Sequence, residues 1–291
     1  MDGGLHLRVD NHKLNSVTRK NRYPVTPINQ LLTIFNSSTI FSKIYLCSAY
    51  NILRAKEVDE HLTSFRAEYC SCDYLVMPIG LQNSPASFQN HVNNIFLDFL
   101  NIFLVVYLDY IMVFYCSEEE HVKNVASVFQ ILKDNNLFSK DSKCVFHASS
   151  EEYLGYVVSS DGLNMYSSKF QQILHWPQPQ KVKSLQSFLV FANFYHFFIK
   201  KHSKKITSLT SLLKKDSPLI LNEESLSHFQ ILKEAFTTAL ILSQFKPSLP
   251  AIVKTDALDY ALGSVLSKLN DSVNHHIAFD SCKCFPAQLK N

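Results

Sequence analysis

Glycine is scarce in this sequence, with 6 residues among 291, and prolines number 10. That composition excludes a collagen-like chain, and no internal period marks a repeat array. Charge is sparse too: 18% of residues are charged and the net charge is +3, a weak bias for a dedicated polyanion binder. The longest apolar tract, Phe96 to Leu108, is broken by Asp98 and Asn101 and is too short to span a bilayer. Met1-Asp2-Gly3-Gly4 opens directly into a strand-like run, so no targeting signal is expected. The seven cysteines (Cys47, Cys70, Cys72, Cys116, Cys144, Cys282 and Cys284) form no even disulfide framework. The expectation is a reduced, intracellular chain in cytoplasm or nucleus, not secreted. Cys70-x-Cys72 and Cys282-x-Cys284 are tighter than structural zinc spacings, so free thiols are expected there.

What is present is material for a core: 46% of residues are apolar, and the length allows two domains or one with an appendage. Ser84-Pro85-Ala86 reads as an N-cap and first-turn proline, with Phe88, Val92, Ile95, Phe96 and Phe99 following at helical spacing. Val105 to Phe114 reads as two strands joined by a very tight turn, with Asp109 at the tip. An acid so close to two buried runs is costly, which points to a task for it. Ser117-Glu118-Glu119-Glu120 then reads as a capping box before a helix whose apolar face is Val122, Val125, Phe129 and Leu132. Helix, hairpin, helix predicts an α+β layer with the Asp109 turn exposed at a sheet edge.

Further on, Tyr153 to Val158 reads as one strand closed by Ser160-Asp161-Gly162, and Trp176-Pro177-Gln178-Pro179 as a linker. Leu185, Phe188, Leu189, Ala192, Tyr195 and Ile199 form a helical stripe, and a helix over about 222–238 turns Leu226, Phe229 and Phe236 inward. Ala251 to Ala257 reads as a strand ending in Asp256, the opening of a domain whose core the remaining residues would not close.

Several of these segments occur in an order that one family shares. They are Val9-Asp10-Asn11-His12-Lys13-Leu14-Asn15, Lys20-Asn21-Arg22-Tyr23-Pro24, the run Phe41 to Tyr50, and the long string Tyr74 to Gln89. Tyr107-Leu108-Asp109-Tyr110, Lys143-Cys144, Tyr153-Leu154-Gly155, Ser187 to Tyr195 and Thr255-Asp256-Ala257 continue the series. Nearly end to end, the chain resembles the reverse transcriptase region of gypsy-type LTR retrotransposon polyproteins. The resemblance implies an α+β polymerase right hand: fingers and palm over 1–158, a mainly helical thumb and connection over 159–245, and a truncated ribonuclease H-like domain over 246–291.

The family extends a primer on an RNA or DNA template with two Mg2+ ions held by three aspartates. Carboxylates are needed because the ions sit about 3.5–4 Å apart and their repulsion must be offset by hard anionic oxygens. Here Asp109 is the remaining palm acid, while Tyr45 and Tyr110 stand at the other two positions. A phenol ionises only near about pH 10, so it is a poor magnesium ligand, and its ring intrudes where ions and triphosphate would sit. Productive Mg2+ binding and catalysis are therefore not expected, and Asp109 holds metal weakly or not at all.

The resemblance places Lys143 at the leaving pyrophosphate, with a solvated lysine as the plain alternative. His12, Tyr50, Ile79 and Gly80 fall at the nucleotide pocket, His12 replacing an arginine that would fork onto phosphate and Tyr50 serving equally well as a core aromatic. Gln82, Asn83, Pro85, Gln89, Leu154 and Gly155 fall at the template-primer, and Asp256 at the first acid of the ribonuclease H. Cys47, His196 and Cys282 replace further arginines, changes that transitions at CpG codons would leave during decay, and Val190 replaces an expected glycine. The basic runs Lys200-Lys201-His202-Ser203-Lys204-Lys205 and Lys214-Lys215 could hold phosphates or be a solvated face. The reading is a polymerase whose chemistry is lost, with weak, salt-sensitive nucleic-acid binding; the alternatives are a weakly active polymerase or a co-opted nucleic-acid-binding or scaffold protein.

Overall fold

The computed structural model describes residues 9–25, 34–35, 38–213, 221–237, 241–245, 249–258, 261–270 and 273–283; Met1-Asp2-Gly3-Gly4, Lys214-Lys215 and Cys284 lie outside them. The fold is α+β, and the chain divides into two units, Met1–Ile34 with Ser38–Glu151 and Phe35–Ser37 with Glu152–Asn291.

In the first unit, helix α1 (His12–Val17) precedes strand β1 (Ile40–Cys47), and β2 (Phe65–Arg66) pairs with β3 (Ser71–Cys72) in a small hairpin. Helix α2 (Ser84–Ile95), strands β4 (Leu104–Tyr107) and β5 (Tyr110–Tyr115), helix α3 (Glu118–Asp134), β6 (Phe138–Ser139) and β7 (Val145–Ala148) complete it. The sheet is antiparallel in the order β4-β5-β1, and both β6 and β7 pair with the far side of β1.

Alternation along β1 explains the layering. Ile44 and Leu46 turn into the core with Phe88, Val92 and Phe96 of the α2 segment, Ile111 and Val113 of β5, and Val128 and Leu132 of α3. Each such side chain contributes about 1.5–3 kcal/mol by leaving water. The alternate residues of β1, Lys43, Tyr45 and Cys47, take the opposite, part-exposed face. There Lys43 ion-pairs with Glu151.

Three local expectations need correction. The residue capping α2 is Asn83, not Ser84, and its side chain makes no capping bond; Ser84 is buried and donates instead to the Pro78 carbonyl at 3.1 Å. Ser117 precedes α3 without a side-chain cap, so no capping box forms, although three glutamates in the first turn still favour the positive end of the helix dipole. Val122 is 50% exposed, and His121 takes its place on the buried face beside Val128 and Leu132. His121 bonds Ser42 Oγ through Nε2 at 2.8 Å and packs edge-on against the His147 ring.

In the second unit, β8 (Ser150–Tyr153), where the chain passes from one unit to the next, joins β9 (Tyr156–Ser159) and β10 (Gly162–Met165) in one sheet. Tyr153 to Val158 is thus a hairpin and not one strand: Leu154 and Gly155 have φ of 53° and 87°, the left-handed pair of a tight two-residue turn. Helices α4 (Ser167–Leu174), α5 (Val182–Phe194), α6 (His202–Ser211) and α7 (Glu223–Thr237) follow. Phe188 of α5 and Phe229 of α7 meet at 4.6 Å between ring centroids, and Leu185, Leu189 and Ala192 are buried beside Phe188. Leu226 is only half-buried, while Phe236 is fully inward. An antiparallel sheet β11 (Ala251–Leu258), β12 (Ala261–Asn270), β13 (Val273–Lys283) ends the described chain. No helix among the described residues is long and apolar enough to cross a membrane.

Candidate functional site

The β4–β5 turn carries Asp109, and its backbone is held from three directions. Leu108 adopts a left-handed φ of 52°, its N–H donates to Gln89 Oε1 at 2.7 Å, and the Asp109 carbonyl accepts from Leu46 N–H at 2.8 Å. Gln89 also donates through Nε2 to the Val106 carbonyl at 3.1 Å. A buried amide on α2 thereby sets the position of the hairpin tip. The tip is half-buried, not exposed as its sequence suggests.

Strand register puts Tyr45 of β1 directly opposite Tyr110 of β5. Their rings meet edge to face, 5.1 Å between centroids at 62°. The Tyr45 phenol donates a hydrogen bond to the Asp109 carboxylate, and its pKa is pushed up to about 12, first by burial, then by the charge of Asp109 and that bond. Lys143 Nζ stands 4.2 Å above the Tyr45 ring, a cation–π contact. Tyr50 is half-buried against Phe88 at 5.1 Å, and its phenol is raised by burial first and by Asp109 next.

The tip therefore gathers Asp109, Tyr45, Tyr110, Lys143 and Tyr50, as their sequence positions suggest. One carboxylate beside two neutral phenols does not fit a pair of divalent cations about 3.5–4 Å apart, which needs several anionic oxygens. Among the described residues no group of three or more His, Cys, Asp and Glu side chains is arranged to hold a metal.

A second layer links α1 to the loop before α2. Asn15 donates through Nδ2 to the Gly80 carbonyl at 2.9 Å and accepts from Gln82 N–H at 2.8 Å. Gly80 has φ of +109°, and a Cβ there would stand 3.3 Å from Asn11 Nδ2, so glycine suits both the backbone and the close approach. Asn83 donates to the Arg19 carbonyl and accepts from Asn21 N–H, both at 2.9 Å. Its amide ties the early segment to α2. The Gln82 side-chain nitrogen is buried without a hydrogen-bond partner. Ile79 is 66% exposed, and Pro85 is exposed in the first turn of α2.

His12 is largely exposed, and its ring and backbone N–H both turn to Asp10, whose carboxyl is held below the usual carboxylate range chiefly by that backbone N–H. Gln89 is buried to 1% and engaged with hairpin backbone, so it positions the tip. Sequence reading missed the bridging role of Asn15. It also missed Cys144, whose Sγ accepts from Tyr45 N–H at 3.5 Å. An amide in a short helix and a cysteine after a lysine give no signal of such contacts.

The remaining candidates belong to the second unit. Leu154 and Gly155 line a groove of about 770 Å³ with Trp176, Phe191, Phe194, Lys169 and Lys183, and the Gly155 carbonyl accepts from the Tyr195 hydroxyl at 3.1 Å. Val190, 72% exposed, also lines it. Asp256 does not end its strand, since β11 continues to Leu258; its carboxylate meets Lys201 Nζ at 2.9 Å. In the basic run, Lys205 Nζ donates to the Lys200 carbonyl at 3.0 Å, and burial lowers its pKa.

Residues 5–158 match the family described as reverse transcriptase (RNA-dependent DNA polymerase), and residues 221–291 match the RNase H-like domain found in reverse transcriptase. The Transposon Tf2-3 and Tf2-7 polyproteins of Schizosaccharomyces pombe are each 36% identical to the chain over 289 residues, 99% of its length. The chain spans only 22% of either polyprotein. Among solved structures, the foamy viral protease-reverse transcriptase in complex with RNA/DNA hybrid superposes with a TM-score of 0.83 over 97% of this chain and 38% of that one, at 23% identity. The same protein in complex with dsDNA gives 0.86 over 99% of this chain and 60% of that one, also at 23% identity.

Proposed function

Because the chain belongs to the reverse transcriptase (RNA-dependent DNA polymerase) family, we propose that it is a retrotransposon-derived homologue whose polymerase chemistry is lost. The observation that carries this reading is the Tyr45–Tyr110 ring pair, packed where the family's carboxylates would hold divalent metal. Mg2+ supplies charge neutralisation and an activated oxygen in such sites. Here Asp109 is already engaged with the Tyr45 phenol, and Lys143 rests on the Tyr45 ring face. Losing one positioned electrostatic group costs about 10²–10³ in rate, so the loss of two ligands from one cluster leaves no measurable turnover.

What survives in this reading is a frame for nucleic acid. His12, Tyr50, Ile79 and Gly80 stand at the nucleotide pocket and Gln82, Asn83, Pro85, Leu154 and Gly155 along a template-primer, with Asp256 a remnant of a nuclease acid. Fingers and palm span 1–158, thumb and connection 159–245, and the ribonuclease H-like part 246–291. RNA or DNA template-primer binds weakly and loses affinity with salt, because lysine contacts to phosphate act by counterion release. Arginines replaced at Cys47, His196 and Cys282 are consistent with decay in a gypsy-type element.

Primer extension with Mg2+ or Mn2+ tests the reading, comparing the unaltered chain with the Tyr45→Asp/Tyr110→Asp variant. The unaltered chain is silent and the variant gains extension. Extension by the unaltered chain above a buffer control overturns loss of chemistry and favours a weak polymerase. If neither extends but both bind template-primer in a salt-dependent way, a co-opted binding or scaffold role is favoured.

A further inference from the structure

Away from the Asp109 tip, the β2–β3 hairpin brings two thiols together. Phe65 pairs with Cys72 and Arg66 with Ser71, and the loop is closed by Ala67 N–H donating to the Cys70 carbonyl at 2.8 Å. Cys70 and Cys72 flank Ser71, so strand alternation turns both side chains to one face. Their Sγ atoms stand 3.3 Å apart in an S–H···S contact. Cys70 is exposed and Cys72 part-exposed, and Glu68 and Tyr69 of the loop are open to solvent, so a reagent can reach the pair. The Cys72 thiol is raised above its ordinary pKa first by the hydrogen bond to Cys70.

We propose that Cys70 and Cys72 form a thiol–disulfide exchange site at which small-molecule disulfides, of which glutathione disulfide is the type, oxidise the pair to an intrachain disulfide. A thiolate of the pair attacks one sulfur of the small disulfide; a protein–small-molecule S–S bond forms, the original S–S bond breaks, and one small thiolate leaves and takes up a proton. The second cysteine, its proton lost to solvent or buffer, attacks the protein-side sulfur. The Cys70–Cys72 bond forms, the mixed bond breaks, and the second small thiolate departs and is protonated. Two electrons and two protons have passed from the cysteine pair to the oxidant, now two thiols.

A disulfide bond is about 2.05 Å long, so the sulfurs close by roughly 1.3 Å from their present separation, in a hairpin whose strands are only two residues each. Exposed Cys116 is the internal reference, since no second thiol is placed against it among the described residues.

The test uses the full reduced chain with excess glutathione disulfide at mildly alkaline pH, acid quenching, alkylation of remaining thiols, and cleavage after acidic residues. Cleavage at Glu68 and Asp73 releases the segment 69–73, which contains both cysteines and no other. Expected is loss of two hydrogens from this peptide with no glutathione attached, while the Cys116 peptide carries glutathione. A 69–73 peptide that carries glutathione, or stays fully alkylated while Cys116 is modified, overturns the proposal. Cys72→Ser removes only the resolving sulfur at an exposed position and should trap glutathione on Cys70. A Cys70 that takes up none in this variant overturns it as well.

Discussion

At Tyr45 and Tyr110 two rings occupy space that carboxylates would leave to ions, and stability reports this independently of catalysis. In the Tyr45→Asp/Tyr110→Asp variant two new acids lie beside Asp109, and their mutual repulsion destabilises the apo protein. Mg2+ would relieve that repulsion and bind the folded state alone, adding about 2.7 kcal/mol at a hundred times its dissociation constant. Thermal unfolding of the variant should shift upward with Mg2+, while that of the unaltered chain should not move; equal shifts would contradict the site geometry. Tyr45 also predicts an alkaline limit. Its folded pKa, about 12, lies above its unfolded value, so folding favours the protonated phenol. That contribution is whole below about pH 10 and is lost as pH climbs toward 12. Tyr45→Phe should flatten the decline of the urea midpoint over this window. Gln89→Ala leaves Leu108 N–H and the Val106 carbonyl without their partner, at about 1–3 kcal/mol for each stranded group, read as a lower urea midpoint. The acid, both tyrosines and Lys143 were legible because each is anchored in a local motif. The inward turn of Gln89 was not legible, because its amide meets a hairpin that follows it in the chain, which no local pattern encodes.

Among the elements, the β8–β9 and β9–β10 hairpins of the second unit show what glycine does at a turn. Gly155 has a left-handed φ, and a Cβ there would stand 3.0 Å from the Tyr195 hydroxyl. Gly155→Ala should cost about 1–2 kcal/mol from backbone strain alone. Gly162 is more constrained: with φ of +144°, a Cβ would meet the Leu242 carbonyl oxygen at 2.1 Å. That carbonyl accepts from Leu163 N–H at 2.7 Å, so relief requires moving backbone that is itself bonded. Gly162→Ala should therefore lower the urea midpoint more than Gly155→Ala, and the reverse order would mean that the 242 segment yields freely. Helices and strands were legible at this scale from periodicity, whereas their caps were not. Asn83 and Ser84 find partners in residues 19–21 and 78, and Ser117 makes no cap bond, so tertiary contacts overrode the local capping pattern.

Across the whole molecule, each unit buries a histidine in neutral form. His121 in the first and His202 in the second are pulled down to about 4, His121 by burial and then by His147, His202 by burial and then by neighbouring His196 and Lys205. Folded values below the ordinary 6.5 mean that the unfolded chain binds more protons between the two. Their contribution is present above about pH 6.5 and is lost as pH falls toward 4. Urea midpoints should fall in both units over that window. The single tryptophan, Trp176, reports the second unit by fluorescence, while circular dichroism reports both. A tryptophan midpoint unchanged from pH 7 to 4.5 would remove His202 from this account. The sequence by itself determined the α+β class, the hairpin with its acid, and the family, because apolar alternation and collinear motifs are local properties of the chain. Only the tertiary structure decided that Tyr45 faces Tyr110, that Gln89 holds the tip, that Asn15 ties α1 to the Gly80 loop, and that Asp256 meets Lys201. Those pairings depend on strand register and on the packing of segments distant in sequence, where the hydrophobic pattern sets which face is buried but not which polar groups meet there.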